Sequence, residues 1–232
     1  MLKKQDKKVE RDFFNKHAYG RLFAEWRSKS YVDFFLKHSN LSKNAKILDL
    51  GCVNGSFGKS FLKKGFQVVG LDLSFVLVQQ AAKQFPVVLS DAENTPFLDK
   101  SFDAVIGAGL IHHFPDPKNL LNEVTRILKD SGYFFTEDPN ILNPKIFFSY
   151  AQVSPLRIES SENENPINFF YLKRILKSKF QRVKIEHFCL LPPQWNLPDN
   201  LVNMYLKIEK LFQKTPLKYL LGVLLSVNTK IR

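Results

Sequence analysis

AKILDLGCVNGSFGKSFLKKGFQVVGLD, residues 45–72, sets two apolar runs around a glycine turn and a helical stretch, and its reading decides the fold. Lys46 to Leu50 is a short apolar run bounded by polar residues, the pattern of a parallel strand buried on both faces. Gly51 and Gly55 supply the permissive backbone of a tight turn, Asn54 or Ser56 can cap the helix that follows, and Phe57, Phe61 and Leu62 continue it. A second run, Phe66 to Leu71, ends at Asp72, about 20 residues after the turn, where nucleoside sites place a carboxylate on ribose hydroxyls.

The turn also excludes something. A dinucleotide fingerprint reads G-x-G-x-x-G and faces a pyrophosphate, whereas this chain has Gly51-Cys52-Val53-Asn54-Gly55 preceded by Asp49. An acid there repels phosphate and suits an ammonium group.

Working outward, Ser74 can cap a helix through Leu77 and Ala81 that ends before Phe85-Pro86, and Val87 to Leu89 forms a third strand. That strand delivers Asp91-Ala92-Glu93 to the carboxyl edge of the sheet, where open α/β sheets bind ligands. Phe102 to Ile106 is the fourth strand, Gly107-Ala108-Gly109 permits close backbone approach, and His112-His113 follow. Asp116 as N-cap and Pro117 as first residue open a helix with Leu120, Leu121, Val124, Ile127 and Leu128 inward. Lys129 to Gly132 stops it, and Tyr133 to Thr136 is the fifth strand, ending at Glu137-Asp138-Pro139-Asn140.

Between Ala45 and Asn140, ILDLGCVNG, then Asn94-Thr95-Pro96-Phe97 and Asp99-Lys100-Ser101-Phe102-Asp103, resemble the class I S-adenosylmethionine-dependent methyltransferases, in the methyltransferase type 11-like subgroup whose motifs read ILDLGCGNG and LPFxDxSFD. The resemblance implies a single Rossmann-like, doubly wound α/β domain with a seven-stranded sheet in the order 3-2-1-4-5-7-6, its last strand antiparallel. It implies S-adenosyl-L-methionine as cofactor, S-adenosyl-L-homocysteine as product, and binding through Tyr19, Asp49, Gly51, Cys52, Gly55, Asp72, Leu73, Asp91, Ala92, Glu93, Ala108 and Gly109. Asp49 and the Gly51 turn would hold the amino acid end, Asp72 the ribose, Asp91 and Ala92 the adenine, and Ala108-Gly109 the region beside the sulfonium. The chain departs from the family at Val53, where glycine is usual and where a β-branched residue is expected to exclude a positive φ.

His112 and His113 are the candidate catalytic residues, since imidazole titrates near neutrality and can take a proton from a hydroxyl acceptor. The competing reading is that one histidine caps or packs the turn while the other faces the cleft. No ligand spacing for a metal is recognisable, so none is expected.

The flanks differ from the centre. Residues 1–44 carry net charge +6, residues 45–140 carry −2 and residues 141–232 carry +8, within a total of +12. Basic flanks attract nucleic acid or an anionic membrane surface, but no aromatics interleave with the lysines of residues 3–8 as base stacking needs, and solvated lysines are the simpler reading. Residues 1–12 alternate charges and are expected to be a frayed start. Residues 1–44 as a whole, with aromatics at near-helical spacing from Phe13 to Phe35, make an N-terminal helical cap on a methyltransferase domain spanning 45–232.

Residues 141–165 form an insertion expected to act as a lid, with Phe147, Phe148, Tyr150 and Arg157 as candidate acceptor contacts. A helix from Pro166 to Leu176 and a sixth strand from Arg182 to Leu191 follow. Asn200 to Leu211 is an amphipathic helix through Leu201, Met204, Tyr205, Ile208, Leu211 and Phe212, with Lys207, Lys210 and Lys214 opposite. The run Leu217 to Val227 is too short to span a bilayer, and Gly222 to Asn228 fits the antiparallel strand.

The two cysteines, Cys52 and Cys189, make no disulfide framework, and the charged start has no signal-peptide pattern. The expected compartment is cytoplasmic, with the helix of residues 200–218 the segment suited to touch the inner membrane surface. The expected reaction is methyl transfer to an oxygen or nitrogen of a small-molecule or lipid- or saccharide-linked acceptor. The rivals are an RNA methyltransferase, ranked lower because no Asn/Asp-Pro-Pro-Tyr/Phe motif follows the fourth strand, and a degenerate cofactor-binding scaffold or sensor, suggested by Val53.

Overall fold

A computed structural model of the chain describes residues 6–17, 24–150, 161, 163–188 and 197–230. In chain order the elements are α1 (Lys7–Lys16), α2 (Glu25–Lys37), β1 (Lys46–Leu50), α3 (Ser56–Leu62), β2 (Gln67–Asp72), α4 (Phe75–Ala81), β3 (Val87–Leu89) and β4 (Phe102–Ala108). A 3₁₀ turn (Ile111–His113), α5 (Lys118–Ile127), β5 (Leu128–Asp138), α6 (Pro144–Tyr150), α7 (Phe169–Lys177), β6 (Arg182–Phe188), α8 (Asp199–Phe212), α9 (Lys218–Leu221) and β7 (Val223–Thr229) complete it. The strands form one sheet in the order β3-β2-β1-β4-β5-β7-β6, parallel except for β7, which runs antiparallel between β5 and β6.

Strand alternation sends neighbouring residues to opposite faces, and both faces are apolar, as a covered parallel sheet requires. Ile47, Phe135 and Leu225 pack with Tyr31, Phe35, Phe57 and Phe61 of α2 and α3. Leu48, Phe134 and Leu224 pack with Leu120, Val124, Leu172 and Leu176 of α5 and α7. The parallel strands all end at one carboxyl edge, which therefore gathers the turns after β1, β2, β3 and β4.

Several expectations change. From residue 6 on, the segment expected to be frayed is helical: Asp6 caps α1 by accepting the N–H groups of Lys8 and Val9, and Glu10 is buried. The two N-terminal helices also separate in role, with α2 in the core and α1 against α4. No side chain of the N-cap residue closes α3: Gly55 is its left-handed N-cap, and the carboxylate of Asp49, reaching from β1, accepts the Gly58 N–H at 2.9 Å. Asn54 Oδ1 accepts only the Ser56 N–H, at 3.3 Å. Ser74 caps α4 as expected, accepting from Leu77. Helix α5 starts one residue later than expected, with Pro117 as N-cap. Helix α7 starts at Phe169 under an Asn168 cap, because Asn168 Oδ1 takes the Tyr171 N–H at 2.8 Å.

Gly58 has a second reason to be glycine. A Cβ there would lie 2.4 Å from the Phe85 ring, which also lies 3.0 Å from a Cβ built at Gly55 and 2.8 Å from one at Gly70. Three small residues thus open the slot that lets α3 close on β2.

Candidate functional site

Gly51, with φ +72°, turns the chain out of β1, and both its N–H and that of Cys52 bond the Leu71 carbonyl, at 2.8 and 3.0 Å. This ties the glycine turn to β2 and brings Asp72 beneath it. Asp72 is buried and bridges two turns: Oδ2 accepts the Val53 N–H at 3.0 Å, and Oδ1 accepts the Ser74 N–H at 2.9 Å. Val53 has φ +48°, so the expectation that its branched side chain excludes a positive φ is overturned. The turn demands the left-handed region, and the bond to Asp72 helps to hold valine there.

Burial pushes the Asp49 carboxyl up to about 7, opposed by the Gly58 N–H and reinforced by Asp72. Burial likewise pushes Asp72 up to about 6 against its backbone donors. Two carboxylates held this way favour hydroxyl donors and positive charge.

Cys52 turns its thiol inward, where it would touch a Cβ on Gly70 at 2.9 Å, and burial pushes its pKa up. Only its backbone can serve the site. Gly55 caps α3, and Leu73 is half-buried between Asp72 and Ser74. At the next turn Glu93 N–H bonds Asp91 Oδ1 at 2.9 Å, and Ala92 is buried. Ala108 is buried at the end of β4, and Gly109, at φ +67°, donates its N–H to the Glu137 carbonyl at 2.7 Å. Tyr19 lies outside the described residues, as do Arg157 and the side chain of Tyr150.

The structure adds a wall that the spacing of the motifs does not announce. Lys7 of α1 pairs with Asp91 and, at 2.5 Å, with Glu93. Asn15 of α1 accepts from the Ser74 hydroxyl at 2.7 Å. Glu10 contacts His113 Nδ1 at 2.6 Å and accepts from Ser161 Oγ and Asn163 Nδ2 at 2.7 and 2.8 Å. Burial alone would raise the Glu10 pKa, but His113 and the two donors more than offset it and the net shift is down. Helix α1 therefore crosses the carboxyl edge from β3 to β4.

Both histidines are buried, with ring centroids 4.2 Å apart. His112 Nδ1 lies 3.1 Å from Asp138 Oδ1, which also accepts the His112 backbone N–H at 3.0 Å. Burial pushes Asp138 up to about 8, opposed by His112 and His113. Glu164 joins the two histidines from the inserted segment, the ligand atoms of all three lying within 4.8 Å of one another. That donor set could accept a cation, and no local spacing shows it because Glu164 arrives from far along the chain.

Residues 48–136 match the family model described as a methyltransferase domain. The chain carries a methyltransferase domain over these residues, within a seven-stranded sheet. The methyltransferase domain is 35% identical to the malonyl-[acyl-carrier protein] O-methyltransferase of Legionella pneumophila over 38% of this chain and 34% of that one. It is 33% identical to the tRNA U34 carboxymethyltransferase of Nautilia profundicola over 47% of this chain and 39% of that one. The chain thus spans little more than a third of the length of these relatives. In fold it is similar to a crystal structure of an S-adenosylmethionine-dependent methyltransferase from Archaeoglobus fulgidus, with TM-score 0.63 and 23% identity over 87% of this chain and 92% of that one. S-adenosylmethionine is the cofactor that this family and fold imply.

The residues present fit that cofactor. A nucleoside hydroxyl pair matches the buried Asp72, an ammonium matches the upshifted Asp49, and Gly51, at φ +72°, keeps the cradle open where a Cβ would crowd Leu110 at 3.0 Å.

Proposed function

We propose that the chain transfers a methyl group to an oxygen or nitrogen of a small-molecule or lipid- or saccharide-linked acceptor. The observation that carries this reading is the convergence of Asp49, Asp72 and Asp91 with the His112–Asp138 pair on one sheet edge beneath α1. When bound, S-adenosylmethionine would supply an electrophilic sulfonium methyl group, whose carbon takes the acceptor's lone pair as the carbon–sulfur bond breaks and S-adenosylhomocysteine leaves.

The chain's own residues then have distinct tasks. Asp72 takes the ribose hydroxyls on lone pairs left beside its two backbone bonds. Asp49 and the Gly51 turn face the amino acid end. Asp91 and Ala92 read the adenine edge, with Glu93 beside them, and Ala108-Gly109 lie along the reacting centre. Asp138 orients His112, leaving Nε2 to take a proton from a hydroxyl acceptor. Helix α1 and residues 163–165 exclude water, so positioning supplies most of the acceleration.

Calorimetric titration with S-adenosylmethionine and separately with NAD, using Asp72→Ala as control, tests the reading. Binding of the first ligand alone, lost in the variant, supports it; binding of neither points to Val53 and a pseudoenzyme. RNA methylation is the second reading, favoured by the basic flanks and the tRNA-named relative. It requires RNA binding that falls steeply with salt.

A further inference from the structure

Helix α8 leaves part of its apolar pattern facing outward. The centre of its inward face is polar, flanked by the half-buried Val202, Leu206 and Phe212: Glu209 and Tyr205 are buried against Arg27 of α2, which is 0% exposed. Arg27 Nη1 lies 3.3 Å from Glu209 Oε2, Arg27 Nη2 donates to Tyr205 Oη at 3.2 Å, and Tyr205 Oη donates to Glu209 Oε1 at 3.1 Å. The guanidinium also stacks over Trp26, 4.2 Å from the ring centroid. Breaking a buried pair of this kind is strongly unfavourable, so the rotation of the helix is pinned.

The consequence is an outward stripe, with Met204, Ile208 and Leu211 exposed to 54%, 49% and 65%. Lys207 falls three residues after Met204 and four before Leu211, beside the stripe, and Lys210 and Lys214 follow it, all three exposed. Downstream, α9 leaves Leu220 exposed and packs on α6, whose Phe147 and Phe148 are also exposed. Asn140 and Asn143 fasten α9 to the chain just after β5, donating to the carbonyls of Tyr219 and Leu221 at 2.9 and 2.7 Å.

We propose that α8, continued by α9 and α6, docks on an anionic lipid bilayer, with the aliphatic stripe in the interface and the lysines on acidic headgroups. Such a stripe bordered by lysine is the chemistry of an interfacial helix. A second copy would set like-charged lysines against each other, and single-stranded RNA would need aromatic platforms where the stripe has Met204, Ile208 and Leu211. Because α6 begins six residues after Asp138, the docked face adjoins the sheet edge that holds His112. The inference deepens the lipid-linked branch of the proposed function and rests on it for its purpose.

The test is co-sedimentation of the full chain with phosphatidylcholine vesicles and with vesicles that also carry phosphatidylglycerol. The chain is expected to sediment with the anionic vesicles alone. Ile208→Ser with Leu211→Ser, and separately Lys207→Gln with Lys210→Gln, are each expected to weaken this about tenfold, with unchanged far-ultraviolet circular dichroism. Absence of anionic-vesicle binding overturns the proposal, as does equal binding by both variants. So does a dimer that the Ile208→Ser, Leu211→Ser variant splits without vesicle binding, or RNA retention without it. Vesicle binding by a chain that does not bind S-adenosylmethionine leaves this surface standing and removes the methyl-transfer reading; the reverse pattern does the opposite.

Discussion

The Asp72 carboxylate accepts the backbone N–H of Val53 at 3.0 Å, and so joins the end of β2 to the turn after β1. One side chain both shapes the glycine turn and presents an acid to the ligand. Since Val53 sits at φ +48°, the bond helps to hold a conformation that costs an L residue roughly 1–2 kcal/mol.

Val53→Gly is therefore expected to stabilise the chain by about 1 kcal/mol, after allowance for glycine's greater entropy loss. Urea denaturation measures it, and a variant less stable than the parent would show that valine's packing outweighs the strain. A large gain in S-adenosylmethionine affinity in the same variant would favour the degenerate scaffold.

A pH dependence follows from the buried acids. Asp49 is held at about 7 and Asp72 at about 6, whereas the unfolded chain has carboxylates near about 4. The folded state binds more protons than the unfolded state across that window, so stability falls as pH rises from about 4 to 7. Glu137 and Asp138, both raised to about 8 by burial, extend the decline. The melting temperature without ligand should be lower at pH 8 than at pH 5. Because the ligand favours the ionised acids, binding should release protons and tighten with pH up to about 7; calorimetry in two buffers of different ionisation heat reads the proton count, and proton uptake would contradict the assignment of Asp49 and Asp72.

Removing one side of the Arg27–Glu209 pair, as in Glu209→Leu, leaves a buried cation and should cost about 3–5 kcal/mol. Arg27→Met combined with Glu209→Leu should recover much of that loss. A double-mutant cycle measures the coupling, and additive losses would mean that the pair does not hold α8.

Lys7 is partly exposed in its pairing with Asp91 and Glu93, and such a pair contributes roughly 0–1 kcal/mol. Lys7→Gln should leave the melting temperature almost unchanged while freeing Asp91, tightening S-adenosylmethionine by no more than about fivefold. Weaker binding would mean that Lys7 helps to hold the ligand rather than competing for its acid.

The parts of the site legible in the chain are local: Gly51, Asp72, Asp91 and Gly109 each follow an apolar run, and a parallel strand necessarily delivers its next residues to the carboxyl edge. The parts not legible come from distant elements. Glu10 lies in a run of alternating charges that looks solvated until His113, Ser161 and Asn163 surround it. Glu164 belongs to a polar insertion until it meets two histidines. Helix α8 shows the limit most sharply, because Leu201, Met204, Ile208 and Leu211 mark an apolar face whichever way that face points.

The sequence by itself determined the parallel strands, the glycine turn and the acids that follow those strands, because strand period and turn chemistry act within a few residues. The sheet order was implied by the family resemblance and is seen in the strand pairing. Only the tertiary structure decided that α1 closes over those acids, that Asp49 rather than Ser56 or Asn54 caps α3, and that α8 turns Met204, Ile208 and Leu211 outward. Each of those outcomes depends on a buried charge or donor finding its partner across the fold, and the desolvation energy that selects the partner exists only once the chain has packed.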